Sequence, residues 1–353
     1  MSLHSDSPID PPGPTFVAWP QTPASLNAPG EPPRNRVWLH IVLLAMTFGT
    51  TTLAGCEHQL SFLSDFGIHQ PRVQGSLVTL GLPYSLTVLA ILGAHEMGHY
   101  LACRYYRIDA TLPFFLPDPL FPVSTVLRWL TVVLRLRVLL PFMVVIPPLA
   151  GTFGAVIRIR QPIRRKTALF DIGIAGPIAG FLVAVPALLY GLWHSNVMPV
   201  PPHMQGVALG EPLLFKAASW LVWGRPAIPF EVNIHPVAFG AWFGLLATAL
   251  NLFPIAQLDG GHIAYCVFGR RAIYVTYAAV AAAFCLTLLS TSWFLFTLMM
   301  VVMLRVVGAQ HPPVLDEDVP LDPARRWLAL FALIMFILCF TPAPIEPLEL
   351  LKH

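Results

Sequence analysis

Charged residues are scarce in this chain. Asp, Glu, Lys and Arg make up only 11% of its 353 residues, whereas a typical soluble domain carries about 25%. Hydrophobic residues make up 56%, and the mean hydropathy is +0.68. The formal net charge of only +3 gives no basis for a nucleic-acid partner. The composition therefore predicts an integral membrane protein whose main partner is the lipid bilayer.

Paired cysteines are also missing. The five cysteines are scattered without a CxxC pair, so we interpret them as small buried apolar residues rather than a disulfide framework. Residues 1–36 lack an apolar run and are rich in proline. We therefore expect no cleavable signal peptide and a disordered, proline-rich tail over 1–36.

Long apolar runs are abundant and predict an all-α polytopic membrane protein with about seven transmembrane helices. The predicted spans are Val37–Ala54, Ser76–Cys103, Ile172–Trp193, Pro236–Phe253, Ala272–Leu289, Trp293–Val307 and Trp327–Phe340. Residues 343–353 form a C-terminal tail.

Basic residues cluster in alternate loops, which predicts the orientation of these spans. Arg34 and Arg36 precede the first span, and Arg104 and Arg107 follow the second, whereas the loop 194–235 has few cations. By the positive-inside rule, we expect a multi-pass protein of the cell membrane with a cytoplasmic N-terminus and 194–235 as an outer loop.

Residues 110–170 do not fit a span, because arginines interrupt their apolar stretch. We expect an interfacial or re-entrant insertion here. Near its end, Gly151–Arg160 partly alternates apolar and polar residues, which predicts a small β-hairpin at the membrane boundary. An exposed edge of this hairpin, which includes Gly154, could bind an extended peptide by strand addition.

The sequence His95-Glu96-Met97-Gly98-His99 lies within the second span. Residues four apart share one face of a helix, so His95 and His99 can direct a ring nitrogen at one metal ion. Glu96 lies about 100° further round, where it can serve as a general base without being a ligand. This pattern is typical of a zinc hydrolase.

A catalytic zinc site needs a third protein ligand, and Asp259 is the candidate. His95 lies about 28 Å along the second span, near its cytoplasmic end. The fourth span runs in the same direction, and Asp259 follows its end. Pro254 and the Gly260-Gly261 pair are expected to break the helix there. A turn role for Asp259 remains an alternative. His262 could also approach the metal, although we favour a surface histidine.

These elements resemble the site-2 protease family of intramembrane zinc metalloproteases. The HExxH element contains His95, Glu96 and His99, and the NxxPxxxLDG element contains Asn251, Pro254, Leu258, Asp259 and Gly260. The segments Gly151–Arg160 and Asp171–Gly180 also resemble parts of the family. The likeness covers most of residues 74–342, but no PDZ domain lies between the motifs, and about forty extra residues follow Arg107.

The resemblance implies a polytopic membrane protease domain over 37–342, in which His95, His99 and Asp259 bind Zn2+ and Glu96 activates water. It implies that Asn251 contacts the substrate backbone or the oxyanion, although Asn251 could instead bridge helices. We include Pro254 and Gly154 as candidate substrate-binding residues. Substrates would be transmembrane segments of other proteins, cut near the cytoplasmic side in regulated proteolysis. The alternative is a non-proteolytic zinc-binding membrane scaffold or chaperone, for which an intact Glu96 would be unnecessary.

Overall fold

A computed structural model describes residues 36–65, 76–118, 150–199, 207–224, 230–255, 257–290, 292–309 and 311–347. The predicted tail and most of the predicted insertion at 119–149 lie outside these ranges. The helices are α1 Val37–Leu63, α2 Leu77–Tyr105, α3 Lys166–Trp193, α4 Leu213–Trp223, α5 Pro236–Asn251, α6 Asp259–Phe268, α7 Ala272–Leu289, α8 Ser292–Val307 and α9 Pro323–Cys339. The strands are β1 Phe114–Pro117, β2 Thr152–Val156, β3 Asn196–Pro199, β4 Val207–Leu209, β5 Phe230–Asn233 and β6 Ile345–Pro347.

Four helical segments are long and apolar enough to cross a membrane, so the chain is a mostly helical membrane protein. They are Val37–Leu63, Val78–Tyr105, Lys166–Trp193 and the continuous stretch Asp259–Leu289. The prediction of seven spans is not confirmed, because α5 and α8 have 16 residues and α9 has 17. At 1.5 Å per residue, such helices reach only about 24–26 Å, short of the roughly 30 Å hydrocarbon layer.

Small residues allow the central helices to approach closely. A Cβ atom on Gly81 of α2 would overlap the Thr52 carbonyl of α1, and one on Gly98 would overlap the Ala175 carbonyl of α3. Beside the first crossing, the hydroxyls of Thr51 and Ser85 share a buried hydrogen bond of 2.7 Å. In a lipid bilayer, the hydrophobic effect contributes little to the association of helices. Close backbone packing and polar pairs of this kind therefore determine how the helices pack.

The largest hydrophobic core surrounds the helix crossing of α2, α3 and α5. Trp242 is buried there with Tyr84, Ile91, Leu188 and Leu245. The indole Nε1 of Trp242 donates to the Gly210 carbonyl at 2.7 Å, so the buried ring keeps its polar atom bonded. This core lies beside the HExxH segment and holds its helix between α1 and α3.

The predicted small sheet is present, but its partner strand comes from further away in sequence. β1 pairs antiparallel with β2, with Leu116 opposite Gly154 and Pro117 opposite Thr152. Phe153 therefore has no register partner and forms a β-bulge. Two further antiparallel pairs, β3 with β5 and β4 with β6, were not predicted from the sequence. Both involve strands from the predicted outer loop, whose short apolar runs gave no clear alternation.

Candidate metal centre

The two histidines of HExxH lie on one face of α2, as predicted. Their Nε2 atoms are 3.1 Å apart, and both residues are almost fully buried, at 5% exposure for His95 and 7% for His99. The Nδ1 atom of His99 donates to the Ile172 carbonyl oxygen of α3 at 2.7 Å. This bond fixes the tautomer, because a carbonyl can only accept, and it leaves the Nε2 lone pair of His99 free for a metal.

Glycines on α3 make room for these rings. A Cβ on Gly176 would overlap the imidazole of His99, and one on Gly180 would lie 3.2 Å from the Cβ of His95. The glycine-rich segment Asp171–Gly180 therefore serves the centre directly, because it lets α3 pack against the histidine face of α2.

Asp259 reaches the same point from α6. Its Oδ2 atom lies 3.2 Å from Nε2 of His95 and 3.3 Å from Nε2 of His99. Asp259 is the first residue of α6. Gly260 and Gly261 lie within the first turn of this helix rather than breaking one, which corrects that detail of the sequence interpretation. A Cβ on Gly260 would overlap the Leu252 carbonyl, so this glycine permits the tight return of the chain from α5.

The spacing of these three atoms fits a tetrahedral metal ion. Metal–ligand bonds of about 2.0–2.1 Å place tetrahedral ligand atoms about 3.3 Å apart, close to the observed 3.1, 3.2 and 3.3 Å. Among the described residues, His95, His99 and Asp259 are the group of His, Cys, Asp or Glu that could hold a metal. Two imidazoles and one carboxylate form a three-ligand set of the kind found at catalytic zinc sites.

Glu96 is buried next to this cluster, with 7% of its surface exposed. The backbone amide of Ile157, just beyond β2, lies near its carboxylate. The β1–β2 sheet thus lies next to the residue that the sequence identifies as the general base.

The three candidate substrate-binding residues lie in different elements of the structure. Asn251, the last residue of α5, places its Nδ2 atom 3.3 Å from Nε2 of His95 and so lies at the centre. Pro254 lies in the following loop, where its carbonyl accepts a hydrogen bond from Thr276 at 3.1 Å. Gly154 lies in β2 with φ +106 and no neighbouring heavy atom within 4 Å of a built Cβ.

His262 is not the surface histidine that the sequence favoured. It follows Asp259 by one helical turn, and its Nδ1 atom lies 2.8 Å from Nε2 of His311. His311 stacks on Tyr265, and its own Nδ1 donates to the Pro312 carbonyl at 2.7 Å. Because Nδ1 of a neutral His311 carries the proton, its Nε2 accepts and His262 is the donor. The spacing of residues in the sequence did not predict the contact between His262 and His311, because the two are 49 residues apart.

Helices that could cross a membrane thus carry a buried His-His-Asp cluster with an adjacent glutamate, which defines a class: polytopic membrane proteins with a candidate metallohydrolase centre. Comparison with known proteins then identifies the family. Residues 83–291, more than half of the chain, match the model of peptidase family M50. The chain belongs to this family, the site-2 protease family, and the resemblance inferred from its motifs is confirmed.

Curated relatives include plant proteins named as zinc metalloproteases. The chain is 25% identical over 339 residues to the probable zinc metalloprotease EGY1, chloroplastic, of Arabidopsis thaliana, covering 88% of this chain and 55% of that protein. It is 27% identical over 259 residues to the Arabidopsis thaliana EGY2, covering 73% and 40%. It is 29% identical over 276 residues to EGY1 of Oryza sativa subsp. japonica, covering 75% and 41%. The chain thus spans about half the length of these relatives. No solved structure matches.

Proposed function

We propose that this protein is a zinc-dependent intramembrane endopeptidase that hydrolyses peptide bonds in or near transmembrane segments of other membrane proteins. One observation carries the proposal: His95, His99 and Asp259 present three ligand atoms at tetrahedral spacing on helices that could cross a membrane. Membership of family M50 and the names of the plant relatives support zinc as the metal.

Each residue of the centre has a role in this proposal. His95 and His99 hold the metal through Nε2, and Asp259 holds it through a carboxylate oxygen. Zinc, when bound, supplies a Lewis acid that polarises the peptide carbonyl and acidifies water. Glu96 takes the proton from the attacking water and delivers it to the nitrogen of the leaving amine, so the proton balance closes within the site.

The substrate would bind next to the base. A transmembrane helix hydrogen-bonds its own amides and must unwind before attack. The β1–β2 sheet adjoins Glu96 through Ile157. An unwound substrate segment could pair with the edge of this sheet, which includes Gly154, and so recover part of the lost hydrogen bonding. In this proposal Asn251 would donate to the substrate carbonyl, and Pro254 would shape the loop that follows α5.

The orientation of the protein is also a proposal. Hydrogen bonds among Tyr106, Asp171 and Arg325 bring the end of α2 and the starts of α3 and α9 to one level. Arg104, Arg107, Arg164 and Arg165 lie at this end of the helices. The positive-inside rule makes it the cytoplasmic side, with the N-terminus there and the metal centre close to it. The plant relatives are named chloroplastic, and the cell membrane expected for this chain stays a prediction.

The Glu96→Gln variant tests the activity, since it keeps the size of the side chain and removes the base. We expect it to retain zinc and to cut membrane substrates at least about a hundredfold more slowly. Membrane-protein fragments should be compared between cells that carry the wild type and cells that carry E96Q. Fragments cut within a transmembrane segment and found only with the wild type support the protease. Matching fragment profiles under several stress conditions, with zinc still bound, would favour the scaffold or chaperone instead.

A further inference from the structure

A cluster of charged and polar side chains joins three helices just beyond the metal centre. Arg325 of α9 donates from Nε to Oδ1 of Asp171 at 2.8 Å and from Nη2 to Oδ2 at 2.5 Å. Tyr106, which follows α2, donates to the same carboxylate and accepts from Nη2 of Arg325 at 3.2 Å. Asp322 caps α9 and also bonds Arg325. We call Tyr106, Asp171, Asp322 and Arg325 the Asp171 clamp.

The Asp171 clamp contains a bidentate pair between the guanidinium of Arg325 and the carboxylate of Asp171. Two parallel hydrogen bonds between a guanidinium and a carboxylate fix both distance and orientation, unlike a single charge contact. Asp171 and Arg325 are each only about one quarter exposed, with side-chain values of 26% and 25%. The pair is thus less screened by solvent than a pair on an open surface.

The clamp lies next to the bond that orients His99. Asp171 directly precedes Ile172, whose carbonyl accepts the Nδ1 proton of His99 at 2.7 Å. Tyr106 follows His99 by two turns of the same chain segment. The clamp therefore holds the end of α2 against the stretch of α3 that carries the acceptor for the His99 ring.

We propose that the Asp171 clamp positions the metal centre: Asp171, held by Arg325 and Tyr106, keeps the Ile172 carbonyl at the distance that orients His99 for zinc. Asp171 and Arg325 are positioning residues, since neither belongs to the cluster of ligand atoms. A hydrogen bond of this kind is lost when the acceptor moves by about 1 Å. Outer partners of a metal ligand typically change metal affinity by about 10- to 100-fold.

In this proposal α9 supports the metal centre, although α9 lies outside the residues that match the family model. Arg325 lies beyond the matched residues 83–291, yet it reaches back to the start of α3. The proposal rests on the proposed function, because it presumes that His95, His99 and Asp259 bind zinc.

The test measures zinc affinity rather than cleavage. Asp171→Asn and Arg325→Lys each remove the bidentate pair while keeping side chains of similar size. The matched control is Arg326→Lys, because Arg326 is the next residue of α9 and donates from Nε to the Leu321 carbonyl at 2.9 Å instead. Zinc affinity is measured on the full chain in nanodiscs by competition with a chromogenic chelator. The visible spectrum of the Co2+-substituted protein is recorded for each variant.

We expect D171N and R325K to bind zinc about tenfold more weakly and to change the Co2+ spectrum, while R326K matches the wild type. The thermal midpoint of the metal-free proteins separates this effect from a loss of packing, since a purely structural clamp lowers the midpoint and leaves the affinity and spectrum unchanged. If D171N does not fold, Tyr106→Phe removes one hydrogen bond of the clamp and gives the same test.

Two negative results have different meanings. Wild-type zinc affinity and an unchanged Co2+ spectrum in folded D171N and R325K would overturn the clamp and leave the protease proposal intact. A wild-type protein that binds neither Zn2+ nor Co2+ would overturn both.

Discussion

The Nδ1 atom of His99 donates to the carbonyl oxygen of Ile172 at 2.7 Å, across the contact between α2 and α3. This bond makes the orientation of a candidate metal ligand depend on how two membrane helices pack. The contact itself depends on glycine, because no side chain larger than hydrogen fits at Gly176 opposite the ring. We therefore expect helix packing and metal binding to be coupled in this protein.

Replacing Gly176 with alanine should impair metal binding. The added methyl group would overlap the His99 imidazole, so either the ring or α3 must move, and we expect zinc affinity to fall at least about tenfold. Gly49→Ala is the matched control, since its new Cβ has no neighbour within 4 Å. That variant should bind zinc normally and gain about 0.5–1 kcal/mol of helix stability. Equal zinc affinity in the two purified variants would contradict the coupling.

Removing the metal should destabilise the folded protein. The three ligand atoms are assembled from α2 and α6, which lie far apart in sequence, so zinc should bind the native state more tightly than the unfolded chain. At a free zinc concentration one thousand times Kd, such binding adds about 4 kcal/mol to the free energy of unfolding. A chelator should therefore lower the thermal midpoint, and added zinc should restore it.

The variant His99→Asn supplies the control for metal removal. It lacks one ligand, so its midpoint should be lower from the start and should respond little to the chelator. A chelator-induced shift as large as that of the wild type would show that the stabilising metal binds elsewhere.

The metal centre was more predictable from the sequence than the membrane topology. The helical spacing of His95 and His99 in HExxH predicted two metal ligands. The position of Asp259 after the fourth span predicted that it reaches the same membrane depth as His95, and the structure brings these side chains together. Span counting relied on hydropathy, which does not fix where a helix ends. The structure ends α5 at Asn251, and that helix is short for a membrane span.

Other features depend on tertiary contacts that no local pattern reports. Arg325 meets Asp171 across 154 residues of sequence, and His311 meets His262 across 49. The strand pairs β3–β5 and β4–β6 likewise join segments whose own residues alternate weakly. The character of the tail 1–36 and of residues 119–149 stays a prediction.

Substrate binding to the edge of the β1–β2 sheet can be tested at Phe153. This residue is 63% exposed, and the bulge leaves its backbone without a register partner in β1. Phe153→Pro removes the amide proton and fixes φ, whereas Phe153→Ala removes only the side chain. If substrate pairs through the backbone, cleavage of a transmembrane substrate should fall for F153P and remain near wild type for F153A. Equal cleavage by the two variants, at equal zinc content, would argue against strand addition.

Variants of Asn251 test whether its side chain donates a hydrogen bond to the reacting carbonyl. In the structure its Nδ2 atom lies 3.3 Å from Nε2 of His95, the atom that would carry the lone pair for zinc. Once that lone pair binds metal, it can no longer accept from Asn251, and the amide is free to donate to the negatively charged oxygen that would form in the proposed hydrolysis. Loss of one such donor typically lowers kcat by about 10²- to 10³-fold.

Asn251→Ala should therefore lower kcat by about this factor while KM and zinc content change little, because the donor acts mainly in the transition state. Asn251→Asp keeps the shape but replaces the donor with an anion near the developing charge, so it should be no more active than the alanine variant. Steady-state kinetics and zinc analysis of the two variants separate the possible roles. If N251A instead loses zinc and its kcat recovers when zinc is added in excess, Asn251 supports the position of His95 and does not act on the substrate.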